Sequence, residues 1–101
     1  MFVALASVDA QAADYELICE NPGREYLVTY DVGDSGVVIN PDSDAIRQPI
    51  LAIIDNDSLR VLVLDLGQAG MASLLHLRPY LKNEIFAEGE LLQTDACYNA
   101  S

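Results

Sequence analysis

Tryptophan is missing from this chain of 101 residues, histidine occurs once, and only five side chains are basic. Each shortage excludes something. The basic residues Arg24, Arg47, Arg60, Arg78 and Lys82 are scattered and stand against sixteen acidic ones, for a net charge of −11. A surface that meets phosphates needs clustered Lys and Arg to displace counterions, so nucleic acid is not an expected partner. With His76 as the single histidine, no nucleophile, base and orienting group can be assembled by any familiar arrangement, and an enzyme is not expected. The same shortage argues against a zinc site, which takes about three or four protein ligands. Without tryptophan, a sugar-stacking cleft between paired carboxylates is poorly supported. No apolar run approaches the ~18 residues that a membrane-spanning helix requires. No cofactor is expected.

Cysteine is scarce too, and its two positions carry information. Cys19 and Cys97 lie far apart and form no Cys-x-x-Cys pair, so a redox role has little support. The first residues, Met-Phe-Val-Ala-Leu-Ala-Ser-Val-Asp-Ala-Gln-Ala, offer a short apolar run and a small-x-small site at Ala10-Gln11-Ala12. No basic residue precedes Arg24, so residues 1–12 read as the remnant of a signal peptide whose start is clipped or mis-called. An ordinary N-terminal tail is the alternative. Export and an even cysteine count agree, and together they lead us to expect a Cys19–Cys97 disulfide in a periplasmic or secreted protein. Residues 13–101 then form one domain, as the chain length permits.

What is abundant is the aliphatic side chain. Eleven of the seventeen residues Ile50–Leu66 are aliphatic, and the break between them is Asp55-Asn56-Asp57-Ser58. Two β-branched runs joined by turn formers read as an antiparallel hairpin, and the core is expected to gather on it. Around it the chain punctuates itself with turns at Asn21-Pro22-Gly23, Val32–Gly36, Asn40–Asp44, Gly67–Gly70, Arg78–Lys82 and Gly89. In the second of these, two glycines supply positive φ. Tyr26, Val28 and Tyr30 alternate with Leu27 and Thr29. Pro49 calls for an edge or a bulge, because it donates no ladder hydrogen bond. Met71–Leu77 fits helical spacing and strand alternation about equally, and its short connections favour strand. The expectation is an all-β fold: a small antiparallel barrel or sandwich of seven to eight short strands, its ends joined by one disulfide.

Leu59, Val61, Leu62, Val63, Leu64 and Leu66 make one strand apolar on both faces. A strand with one wet face alternates more cleanly, so these residues are marked as a possible interface. The cover would be the N-terminal segment, the loop around Tyr80, or a second copy of the chain.

Several local motifs read as plain structure. Gly33-Asp34-Ser35-Gly36 copies the residues around a trypsin-like nucleophile, but the order relative to His76 is reversed and it reads as a turn. The acid pairs Asp31 and Asp34, Asp42 and Asp44, and Asp55 and Asp57 fall in loops, where Asp also bonds its own backbone. None follows the EF-hand spacing, and no metal site is expected. His76 reads as a half-buried strand residue. The five tyrosines suit either a binding face or barrel packing with hydroxyls at the rim.

The layout of export remnant, Tyr15-Glu16-Leu17-Ile18-Cys19 first strand and terminal Cys97 resembles small periplasmic barrels, of which the bacterial inhibitors of c-type lysozyme are the best known. That family's Ser-Gly-x-x-x-Tyr loop is not matched, since Val37-Val38-Ile39-Asn40 follows Ser35-Gly36. The resemblance implies a barrel and a cationic protein as partner. The function expected is therefore an exported, non-enzymatic binding module. The alternative is a self-associating envelope or structural protein working as a homodimer.

Overall fold

The computed structural model describes residues 13–100. The signal-peptide reading of residues 1–12 lies outside that range. Eight strands follow one another: β1 (Tyr15–Asn21), β2 (Arg24–Tyr30), β3 (Gly36–Ile39), β4 (Ile46–Asp55), β5 (Arg60–Asp65), β6 (Met71–Arg78), β7 (Lys82–Ala87) and β8 (Glu90–Asn99). Every neighbour pairs antiparallel, and β8 returns to β1 to close a barrel in sequence order. Met71–Arg78 is strand throughout, which resolves the ambiguous segment.

Turn chemistry explains the connections. Gly33 takes φ 100° as its turn requires. Gly36 does not take positive φ. It is there for room, because a Cβ would lie 2.8 Å from the Arg47 guanidinium carbon and 3.0 Å from the Gln48 carbonyl oxygen. Pro49 faces Gly36 on β3, and the β4–β5 ladder shifts between Ile50 and Ala52 just beyond it. The bulge sits where the sequence asks for one.

The core is the barrel interior: Leu17, Val28, Tyr30, Val37, Ile39, Leu62, Leu64, Leu75 and Leu77, with Cys19. Cys19 faces Cys97 across the β1–β8 seam, and the two form a disulfide spanning 78 residues of sequence. The core does not gather evenly on the central hairpin. β5 contributes Leu62 and Leu64 to it, but β4 is the most exposed strand, with Leu51 61% and Ile54 47% accessible. The reason is a mismatch in length. β3 has four residues and reaches β4 only from Ile46 to Pro49, so the rest of β4 overhangs its neighbour.

Candidate functional site: a polar barrel mouth

The two ends of the barrel differ. At the end holding the β2–β3, β4–β5 and β6–β7 turns, Tyr15 stacks on Tyr30 with centroids 6.0 Å apart. Arg60 Nη1 donates to Tyr15 Oη at 2.6 Å, and Arg60 and Arg78 converge on Asp55 at 3.3 and 2.9 Å. Aromatic rings and an ionic knot fill this end.

The opposite end is open. A cavity of about 460 Å³ runs in past the β1–β2 and β3–β4 turns, lined by Arg24, Asn40, Ser43, Asp44 and Gln48 around its rim. Deeper in stand Tyr26, Asn83, Gln93 and Asp95. Strand parity places them there. Counting back from Cys97, which meets Cys19 at the seam, Asp95 and Gln93 fall on the same face of β8. Asn83 is the cross-strand neighbour of Asp95.

Asp95 is 1% exposed and forms no ion pair among the described residues. Its carboxylate accepts from Tyr26 Oη at 2.5 Å and from Gln93 Nε2 at 2.6 Å. Tyr26 in turn accepts from Asn83 Nδ2 at 3.1 Å. Burial first, and then the hydrogen bond to Asp95, push the Tyr26 phenol well above its ordinary value, so it stays a donor to the carboxylate. Two buried polar atoms, Asn83 Oδ1 and Ser73 Oγ, have no hydrogen-bond partner among the described residues. Of the two, only Asn83 lines the cavity, and its Oδ1 can accept. The arrangement is a pocket with aliphatic walls at Ile39, Ile46, Leu66 and Ile85 and a carboxylate held by neutral donors, which is chemistry suited to a cationic group bearing N–H.

The residues marked in the sequence are placed as follows. Cys19 and Cys97 are brought together at the seam. Ser35 Oγ accepts from Arg47, whereas His76 Nε2 lies 2.7 Å from Glu84 Oε1 across the β6–β7 ladder. Serine and histidine are thus engaged with different partners. Asp55 is taken up by Arg60 and Arg78, and Asp31 accepts from the Asp14 amide. Among the described residues no group of three or more His, Cys, Asp or Glu is placed to hold a metal ion.

The marked interface needs correction. Leu62 and Leu64 face the interior, buried in the core, and cannot belong to an outward surface. Val61 is also buried, while Leu59, Val63 and Leu66 are half-buried. Tyr80 is 75% exposed, so its ring does not cover this strand. The exposed aliphatic side chains lie instead on β4, at Leu51, Ile53 and Ile54.

Of the mouth residues, Tyr26 is one of the five tyrosines that suit a binding face or barrel packing, whereas Asn83, Gln93 and Asp95 are not among the expected site residues. No family model, curated protein or solved structure matches the chain.

Proposed function

We propose that this protein is an exported, non-enzymatic barrel module that captures a cationic partner at its open mouth. The observation that carries the reading is Asp95. A carboxylate buried without a cation is costly unless its surroundings compensate, and here two neutral donors do so beside a cavity. A lysine or arginine side chain entering the mouth would replace the Gln93 amide and supply the missing charge. The net charge of −11 draws such a partner in and rejects anionic ones. The resemblance to inhibitors of c-type lysozyme points the same way, toward a small basic protein. Export is supported by the disulfide, which persists in oxidising compartments.

Calorimetric titration with c-type lysozyme at low and moderate salt tests this, with methylguanidinium chloride as a competitor small enough for the mouth. The expected result is saturable binding that weakens with salt, is displaced by methylguanidinium, and falls about tenfold or more in Asp95→Asn. In Gln93→Ala, which leaves the carboxylate in place, binding should persist. Absence of binding by either cation, or an unchanged affinity in Asp95→Asn, overturns the proposal.

A further inference from the structure

The overhang of β4 leaves a strand edge without a neighbour. On one side, residues Ile50–Asp55 pair with β5 from Leu64 to Arg60. On the other, β3 ends at Gly36 opposite Pro49, and the Ile50 amide makes a last bond to the Ser35 carbonyl. Beyond that bond, no strand lies beside residues 51–55 among the described residues.

The direction of the main-chain groups follows from the ladder. The Asn56 amide bonds the Leu59 carbonyl, so Asn56 points toward β5. Antiparallel pairs alternate, which turns Asp55 and Ile53 away from β5, with their N–H and C=O at the open edge. The side chains there are Leu51, Ile53 and Ile54, each about half exposed or more. An exposed apolar edge with unpaired main-chain groups is a template for another strand, and natural barrels normally remove or guard such edges with charge. From Leu51 to Ile54 no charged residue guards this one.

We propose that this edge pairs with the same edge of a second copy, antiparallel about a two-fold axis near Ile53. Two observations select a copy of this chain as the occupant. First, the pairing is self-complementary: centring on Ile53 sets Asp55 opposite Leu51, so no acidic side chain meets its own image. Second, the charge here differs from the rest of the molecule. Arg60 and Arg78 gather on Asp55 at the foot of this edge, so two of the five basic residues offset the local acids. Elsewhere two copies of a chain at −11 repel each other. The contact joins two four-residue apolar segments without touching the mouth, so dimerisation and cation capture are separable.

The test uses the full chain. Sedimentation and hydrogen exchange are measured across a concentration series at low and moderate salt, on wild type, Ile53→Lys and Ile53→Pro. The expected wild type is a monomer–dimer equilibrium that shifts toward dimer in salt, as screening reduces the residual repulsion. Exchange at the Ile53 and Asp55 amides should slow several-fold as concentration rises. Both variants should remain monomeric with the circular dichroism of wild type, because the Ile53 N–H serves no bond among the described residues. A wild type that stays monomeric at high concentration in both salts overturns the proposal. So does a dimer whose Ile53 and Asp55 exchange is independent of concentration, which would place the contact elsewhere. If those amides are protected at every dilution and become exposed in a chain beginning at Ala13, the edge is covered by the chain's own first residues and the proposal fails.

Discussion

Asp95 places a carboxylate inside a barrel that already carries a large excess of negative charge, and Tyr26 is one of the two donors holding it there. Replacing Tyr26 with Phe removes that donor and leaves the buried carboxylate with the Gln93 amide alone. The expected loss is roughly 1–3 kcal/mol in urea denaturation, the usual cost of stranding a buried hydrogen-bonding group. The pH dependence has a definite sign. Burial raises the folded Tyr26 phenol above the unfolded value near 10, so above that pH the unfolded state binds fewer protons than the native one. The contribution is whole below about pH 10 and is lost as pH climbs toward the folded value. Wild type should therefore weaken steeply as pH rises above about 10, and Tyr26→Phe more gently. Tyr98 keeps part of the slope in both proteins, because its phenol is raised by burial and by its bond to Glu25. Parallel urea midpoints for the two proteins over that range would contradict the assignment.

Among the elements, β4 and β5 are adjacent and almost equally hydrophobic, yet they should respond unequally to substitution. Leu62→Ala opens a cavity in the barrel interior and is expected to cost about 2–5 kcal/mol. Leu51→Ser, on the overhang, should change the stability of the monomer by no more than about 0.5 kcal/mol. Thermal melts at low concentration compare the two, and a large loss in Leu51→Ser would show that the overhang is covered within the monomer. The strands themselves were legible in the sequence, because Asn-Pro-Gly, Gly-Asp-Ser-Gly and Asp-Asn-Asp-Ser bound them with turn chemistry that few other structures use. The burial of β4 was not legible. Its hydrophobicity speaks for a strand, but exposure depends on how far β3 extends beside it, and that is a matter of register between chain segments. The polar mouth was hidden for a related reason. After Glu90, β8 continues with Leu91 and Leu92, both exposed, while Gln93 and Asp95 turn inward. Reading polarity as solvent exposure inverts this strand. One signal would have corrected it: Cys97, if bridged to a core cysteine, fixes the parity of every residue back to Gln93.

For the whole molecule, closure is the feature on which the mouth depends, and it rests on the seam between the first and last strands. β1 and β8 share four register pairs, Leu17 with Asn99 through Glu20 with Ala96. By comparison, β1 and β2 share seven, and they are joined by a tight turn. The β2–β3 ladder is shorter still, with Val28–Ile39 and Thr29–Val38, but its strands are close in sequence and closing that loop costs little entropy. The β1–β8 seam instead joins residues separated by 78 positions, and Cys19–Cys97 removes that closure cost from folding. In the chain-entropy model the bridge contributes roughly 4.5 kcal/mol, a large share of the about 5–15 kcal/mol typical of a domain. Intact-mass measurement with alkylation should find no free thiol before reduction and two after it. Reduced protein should lose a few kcal/mol in urea. The loss should also be localised: amides of β1 and β8 should exchange faster by a larger factor than those of β5 and β6, whose ladder is built from Leu62, Leu64 and Leu75 in the core. Since Asp95 and Gln93 lie on β8, loosening this seam should also weaken methylguanidinium binding in the reduced protein. Uniform acceleration across all eight strands would mean that the bridge stabilises the barrel only as a whole. Unchanged exchange at β1 and β8 would mean that their four register pairs close the barrel without it.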